Sequence, residues 1–392
     1  MTLYNLRARN RTWIVSIMSQ NPKKSASNNV RLFDQLTSWN LELRDLIEDL
    51  KTPAQTPDDQ STSPESIQER LNRLGSLVVI EQSLLQRPTD HLVFYGAAAY
   101  RSLTDAFVMT QRHAALRRIS TSLNPKAQAI IGEHSQVGRW ISVGISHLTT
   151  SRQHVREPSV LARRTLNGWT VSGTVPWVTA ASCSDALVIA ACDSEEFSKQ
   201  YLFYLPMNSD KIICGPSMEL MALSASGTAQ VDLFGVELTP TELLHGPCEN
   251  VLTASHASGS GGLQTTALAL GLAARVIDAI QEKCKRIPDL AVFEDSFCAR
   301  WQDLFERMKL ASVSAGTQVD QGELRKDAND LVLRVSQASL AIDKGAGYLA
   351  NSLASKWVRE SMFFLVWSCP QTIATKHLCE LSRFETAINL GG

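Results

Sequence analysis

The sequence predicts an α+β protein with an N-terminal helical domain, a middle antiparallel β-domain and a C-terminal four-helix bundle. Apolar residues recur at helical spacing toward both ends of the chain. Between these regions, short runs of β-branched residues alternate with turn-forming pairs, as in a compact antiparallel sheet. These changes of pattern place the domains at 30–138, 139–250 and 251–392, after a flexible extension at 1–29.

The N-terminal domain is predicted to contain several helices. Apolar spacing indicates a helix over 30–50, followed by a Pro/Ser/Thr/Asp-rich loop. Ser63 is then a predicted N-cap for a helix that reaches about residue 86. We expect one further helix over 90–120 and a short one from 124 to about 132.

The remaining elements follow from the same signals. Strands are expected around apolar runs that end at turns such as Asn167-Gly168 and Gly215-Pro216. Long amphipathic segments then predict the bundle helices, over 265–285, 293–314, 323–348 and 356–383.

Composition excludes several functional classes. The 392 residues include 38 Lys+Arg and 39 Asp+Glu, so no strong positive charge favours a nucleic-acid partner. No window reaches the ~18 apolar residues that a membrane-spanning helix needs. The eight cysteines are scattered without C-x-x-C spacing, which fits reduced, buried thiols and a cytoplasmic protein. The Arg-rich start of the extension also allows a transit peptide.

Common catalytic motifs are absent from the sequence. The Gly-rich stretch 258–262 lacks the Lys-Ser/Thr of a phosphate-binding P-loop and does not follow a βαβ pattern. There is no His-Glu-x-x-His zinc motif and no Gly-x-Ser-x-Gly elbow, and the eight histidines are dispersed. A metal site is therefore not expected.

One predicted strand carries a more specific functional signal than the motifs above. Trp177 and Thr179 are two residues apart, so on a strand both project to the same side. An indole face beside a hydroxyl suits a flat cofactor, whereas a hairpin with a core tryptophan is the simpler structural interpretation.

Trp177-Val178-Thr179 resembles the Trp-x-Thr motif of the acyl-CoA dehydrogenase superfamily, which lies against the flavin ring of FAD. Residues 267–274, ALALGLAA, resemble the first bundle helix of that family, with Gly271 at a close helix contact. Gly345-Ala346-Gly347-Tyr348 is similar to its Gly-Gly-x-Gly-Tyr turn. The resemblance covers about residue 89 to the C-terminus.

The resemblance implies a bound FAD and a set of residues that hold it. Trp177 would pack on the ring, and Thr179 and Ser146 would offer hydroxyls to it. Arg286, Gly345 and Gly347 would contact the cofactor from a neighbouring subunit, so a homodimer or homotetramer is expected.

The expected catalytic carboxylate is missing. The position where the common branch of the family keeps its glutamate falls on Ser368, and the alternative position falls near Gly261. A serine cannot act as that base without a partner. Glu360 belongs to the preceding helix and is a weak substitute.

The resemblance thus implies a flavin-dependent oxidoreductase with atypical chemistry on an acyl thioester or other small molecule. A flavin-dependent monooxygenase and a catalytically silent binding protein are the alternatives.

Overall fold

The structure is a computed structural model of the 392-residue chain. It describes these residues: 31–38, 61–75, 88–136, 138–149, 158–254, 262–313, 319–367 and 371–382. The predicted extension at 1–29 lies outside the described residues, as do residues 39–50 of the first predicted helix and residues 76–86 of the second.

The described N-terminal part is helical, as predicted. Its helices are α1 (Leu32–Thr37), α2 (Pro64–Arg73), α3 (Pro88–Arg101), α4 (Leu103–Ser120) and α5 (Ala127–His134). The Ser63 hydroxyl accepts a hydrogen bond from the Ser66 backbone N–H at 3.1 Å, which confirms the predicted N-cap of α2.

The single helix predicted over 90–120 is wrong. Ser102 has extended backbone angles, and its hydroxyl accepts a hydrogen bond from the Asp105 N–H, so it ends α3 and caps α4. A serine can supply this side-chain acceptor, and the apolar periodicity alone does not register the break.

The middle of the chain forms one eight-stranded sheet. Its strands are β1 (Ile141–Gly144), β2 (Val160–Thr165), β3 (Gly168–Val178), β4 (Ala186–Asp193), β5 (Gln200–Pro206), β6 (Ile212–Cys214), β7 (Ala229–Leu238) and β8 (Leu243–Cys248). The strand order is β6-β7-β3-β2-β4-β5-β8, with β1 beside β4. Most pairs are antiparallel, as predicted, whereas β1 and β2 run parallel to β4. Two short helices follow β1 and β8, namely α6 (Ser146–Thr149) and α7 (Val251–Ala254).

The C-terminal part is a helical bundle. Its helices are α8 (Leu263–Cys284), α9 (Ala291–Val313), α10 (Gln321–Gly347), α11 (Leu353–Val366) and α12 (Gln371–Ser382). The one helix predicted over 356–383 is two helices, because the backbone becomes extended at Trp367. An ion pair of 2.5 Å between Lys283 and Asp343 joins the C-terminal ends of α8 and α10. The α8–α9 and α10–α11 connections therefore lie at the same end of the bundle.

The helices before and after the sheet share one apolar core. Helix α3 packs directly on α8, and a Cβ on Gly271 would lie 2.1 Å from the carbonyl oxygen of Gly96. This confirms the predicted close contact at Gly271, which only glycine permits. Asp278 on α8 adds polar contacts, since its carboxylate accepts hydrogen bonds from the Leu32 N–H and the Tyr100 hydroxyl.

Helix α8 is long and apolar enough, by length and composition, to cross a membrane, which the sequence patterns did not indicate. It is weak evidence for a span, because 78% of its most apolar window is buried inside the protein. A central core helix has the same composition.

Candidate functional site

Trp177 lies at the end of strand β3 with half of its surface exposed. Its exposed fraction is 50%, whereas Val175 and Val178 on the same strand are fully buried in the core of the sheet. The pairing of β3 with β7 shifts register between Val175 and Val178, so the strand is irregular where Trp177 sits. About half of a large aromatic side chain is thus available to a ligand at this point.

Thr179 is the first residue beyond β3 and is buried. Its hydroxyl lies 3.4 Å from the Thr228 hydroxyl, which in turn lies 2.8 Å from the Ser226 hydroxyl. These three side chains form what we call the hydroxyl chain. Trp177 and the hydroxyl chain together are the sheet side of the candidate site.

The backbone around the hydroxyl chain is constrained. Ala180 and Leu223 have positive φ angles of 53° and 66°, a region that L-residues other than Asn and Asp seldom adopt. Gly227 also has a positive φ, and a Cβ there would lie 2.8 Å from the Ile67 side chain on α2. Such conformations cluster at functional sites when the surrounding structure holds them in place.

Strand β1 leads into Ser146 and places it close to strand β3. A Cβ on Gly144 would lie 2.6 Å from Val175 and 3.3 Å from Val178, so the end of β1 presses closely on β3. Ser146 begins α6 immediately afterwards, and α6 contacts β3. His147 anchors this helix through a 3.0 Å hydrogen bond to the Ala190 carbonyl on β4.

The other predicted cofactor residues lie elsewhere in the chain. Arg286 is exposed just beyond α8, and Gly345 and Gly347 follow a kink at Lys344, whose φ of 53° is not helical, at the end of α10. All three are at the end of the bundle marked by the Lys283–Asp343 ion pair. A Cβ on Gly347 would lie 2.7 Å from Asp343, whereas the space beside Gly345 is open. The predicted set thus separates into two groups within one chain.

The predicted base positions Ser368 and Gly261 lie outside the described residues. Trp367, just before Ser368, stacks on Phe363 with ring centroids 4.9 Å apart and an interplanar angle of 17°. Phe107 on α4 meets both rings edge-on, at 5.1 and 5.5 Å. We call these three rings the helical side of the site. They connect to the sheet side through α4, which contacts the turn 224–226.

Glu360 is the carboxylate of α11 that the sequence offered as a substitute base. It is 3% exposed, and one carboxylate oxygen lies 3.7 Å from the Lys356 ammonium. A buried carboxylate that faces an ammonium one helical turn away is held in place as part of an ion pair.

Two buried histidines between α3 and α4 were missed by sequence reasoning. The His91 and His113 rings lie 4.3 Å apart in an edge-to-face arrangement. Burial, together with Arg117, lowers the pKa of His91 from 6.5 to about 4. Burial, His91 and nearby arginines also lower the pKa of His113 well below its usual range. Both rings are therefore neutral at pH 7.

Sequence reasoning also missed Ser226, Thr228 and the aromatic cluster. The sequence of residues 224–228, SASGT, could have indicated this group, because serine and threonine hydroxyls close together in a turn often form hydrogen bonds with nearby groups. In the described part of the chain, no group of three or more His, Cys, Asp or Glu side chains is placed to hold a metal ion.

Solved structures with the same arrangement of helices and sheet identify the fold. Butyryl-CoA dehydrogenase from Megasphaera elsdenii superposes with a TM-score of 0.71 at 12% identity, covering 89% of this chain and 98% of that chain. The chain has the acyl-CoA dehydrogenase fold. Glutaryl-coenzyme A dehydrogenase, in a glutaryl-CoA complex, gives a TM-score of 0.71 at 16% identity over 93% of this chain and 97% of that chain.

FMN-bound TdsC from Paenibacillus sp. A11-2 has the same fold, with a TM-score of 0.66 at 13% identity over 90% of this chain and 97% of that chain. No protein-family model matches the sequence. No curated protein is detectably similar to it in sequence. The acyl-CoA dehydrogenase fold is thus recognised from the structure, at identities too low to transfer an activity.

Proposed function

We propose that this protein is a flavin-dependent oxidoreductase that binds FAD at the end of strand β3. The observation that carries the proposal is the half-exposed Trp177 beside the buried Thr179 hydroxyl, at a point where the backbone is held in uncommon conformations. An indole that stays half-exposed contributes little hydrophobic stabilisation to the protein alone. A planar ligand that covered the exposed part of the ring would add that stabilisation on binding.

The residues present fit a flavin. Trp177 would pack on one face of the ring system, and the Thr179 and Ser146 hydroxyls would bond to its polar edge. When bound, a flavin accepts two electrons with a hydride, a reaction that the surrounding side chains cannot perform alone. The aromatic rings of the helical side would exclude water from that region.

We propose FAD as the flavin because the second group of predicted residues suits its larger half. Arg286 is an exposed cation, and Gly345 leaves open space beside the backbone at the same end of the bundle. A guanidinium and accessible backbone are suited to a pyrophosphate. FMN has no pyrophosphate and would leave this group unused.

These residues would act from a second copy of the chain, so the functional form is a homo-oligomer. The same end of the bundle carries exposed apolar side chains, namely Ile287, Val292, Phe293, Tyr348 and Leu349. Apolar residues grouped at one end of a bundle favour an interface.

Replacing Phe293 with glutamate is expected to shift the protein to monomers in light scattering and to weaken FAD binding more than FMN binding.

The reaction is proposed to be an oxidation of an acyl thioester or another small molecule by atypical chemistry. Glu360 is buried against Lys356, and serine occupies the usual base position. This favours a second candidate, a monooxygenase in which the flavin activates oxygen and no carboxylate base is required. A catalytically silent binding protein is the third candidate function.

A visible absorption spectrum of the purified protein, alone and after adding FAD or FMN, tests the proposal. We expect a yellow protein whose extracted cofactor is FAD. A colourless protein that takes up neither flavin would refute the flavoenzyme and leave the silent binding protein. Anaerobic bleaching by acyl-CoA thioesters would indicate desaturation, whereas oxygen uptake that depends on reduced flavin would indicate the monooxygenase.

A further inference from the structure

The hydroxyl chain is buried and joins two distant parts of the sequence. Thr179, Thr228 and Ser226 are at most 4% exposed, and their hydroxyls follow one another at 3.4 and 2.8 Å. Thr179 and Thr228 are 49 residues apart in sequence. Two different turns must therefore meet to form the chain.

Main-chain hydrogen bonds join these two turns. The Ala180 N–H donates to the Ser226 carbonyl at 2.9 Å, and the Ala181 N–H donates to the Gly227 carbonyl at 3.2 Å. Positive φ angles at Ala180 and Gly227 set the direction of the backbone on either side of the contact. The relative positions of the hydroxyls are thus determined by the backbone and do not depend on side-chain packing alone.

The two links of the hydroxyl chain differ in strength. The 2.8 Å contact between Ser226 and Thr228 is a normal O–H···O hydrogen bond, whereas 3.4 Å between Thr228 and Thr179 is long for one. Each hydroxyl has one hydrogen and two lone pairs. Thr228 is therefore well held by Ser226. The long contact engages at most one of the hydrogen and two lone pairs of Thr179, so this hydroxyl can be oriented by Thr228 and still bond a ligand.

We propose that Thr228 is a positioning residue that orients the Thr179 hydroxyl toward a flavin bound against Trp177, and that Ser226 in turn holds Thr228. This inference rests on the proposed function and deepens it. Thr228 does not touch the flavin in this arrangement. It limits the rotation of the Thr179 hydroxyl, so that less ordering is required when the ligand binds.

A double-mutant cycle on flavin affinity tests the inference. Removing the Thr179 hydroxyl as Thr179→Val is expected to weaken FAD binding about tenfold, the value of one buried hydrogen bond. Thr228→Val is expected to weaken it about threefold to fivefold through the lost orientation. The double variant is expected to bind as weakly as Thr179→Val alone, because Thr228 acts only through Thr179.

Three further variants separate positioning from a purely structural effect. Thr228→Ser keeps the hydroxyl and is expected to restore wild-type affinity. Ser226→Ala is expected to weaken binding less than Thr228→Val. Thr174→Val is the matched control, because the Thr174 hydroxyl on β3 donates to the Asp232 carboxylate on β7 at 2.6 Å and is not part of the hydroxyl chain. Thermal unfolding without flavin shows which variants remain folded.

The outcomes are distinct. If the wild type binds flavin and Thr179→Val weakens binding while Thr228→Val does not, the positioning role is wrong and the proposed function stands. Additive losses in the double variant, or failure of Thr228→Ser to restore affinity, would also overturn it. If the wild type binds no flavin, the proposed function fails, and this inference fails with it.

Discussion

The sheet side of the candidate site presents a half-exposed indole and a chain of hydroxyls, whereas the helical side presents three packed aromatic rings. On the sheet side, Trp177 and Thr179 stand where a planar, polar-edged ligand could bind. On the helical side, Phe363 and Trp367 stack on each other, and the carboxylate of Glu360 is buried beside Lys356. Under the proposed function the sheet side would hold the flavin, whereas Glu360, the predicted substitute base, faces Lys356 in a buried ion pair.

The two regions also differ in how their interiors are built. The core of the sheet consists of apolar side chains such as Val171, Leu187 and Phe203. The helical part buries ionisable groups, including His91, His113 and Asp278. We therefore expect the helical part to respond more strongly to pH and to single substitutions.

The largest expected effect is acid destabilisation of the helical part. His91 has a folded-state pKa of about 4 and an ordinary pKa of 6.5, so the unfolded chain binds a proton that the folded chain does not. The free energy of unfolding is constant above pH 6.5 for this group and falls by about 3 kcal/mol between pH 6.5 and 4. His113, whose pKa is shifted in the same direction, adds to the loss.

Denaturant unfolding across this pH range, with hydrogen exchange at each pH, measures the effect. Amides of α3 and α4 should lose protection before those of β3 and β7. His91→Phe is the control variant and should reduce the pH dependence, leaving the part that comes from His113. Equal early exchange in the sheet would break the distinction between the two regions.

A methyl group at the α3–α8 contact should be nearly as disruptive. Gly271→Ala places a Cβ 2.1 Å from a backbone carbonyl oxygen, which cannot move without separating two helices. We expect a loss of about 3 kcal/mol, measured by denaturant unfolding. On the sheet, Gly144→Ala meets the Val175 side chain at 2.6 Å, which can rotate, so the loss there should be smaller.

Gly132 provides a control for the alanine substitution itself. It lies in α5, and no atom lies within 4 Å of the position that a Cβ would occupy there, so Gly132→Ala should be neutral or slightly stabilising. If Gly271→Ala proved as mild as Gly132→Ala, the close packing of α3 on α8 would be contradicted.

Removing the exposed indole should act on binding and not on folding. Trp177→Ala is expected to weaken flavin binding by roughly tenfold, about 1.4 kcal/mol, with little change in the melting temperature of the flavin-free protein. Phe234→Ala is the matched control, since Phe234 is an exposed aromatic residue on the neighbouring strand β7. Equal effects of the two variants on affinity would exclude a specific role for Trp177.

The smallest effect on flavin binding is expected at Glu360. Glu360→Gln removes the charge that faces the largely buried Lys356 ammonium and should lower the free energy of unfolding by about 3 kcal/mol. Flavin affinity, followed by fluorescence titration, should stay within about twofold of wild type. A large loss of flavin affinity with unchanged stability would instead place Glu360 in the flavin-binding site. The helical side would then contribute a polar group to binding.

Much of the fold could be predicted because its signals are local. Helical periodicity located the bundle helices to within a few residues, and Ser63 indicated the start of α2 through its capping hydroxyl. The three-part architecture follows from the switch between helical and strand patterns. The errors at Ser102 and Trp367 arose where an apolar pattern continued across a break in the backbone.

The sequence by itself determined the order of helices and strands and marked Trp177 and Thr179 as an unusual pair. Only the tertiary structure decided that Thr228 lies beside Thr179, that Asp278 bonds a residue 246 positions away, and that Arg286 and Gly345 lie at the bundle end. The physical reason is that spacing along a chain encodes which face of an element is apolar. It does not encode which distant hydroxyl, carboxylate or ring will meet that face once the elements pack.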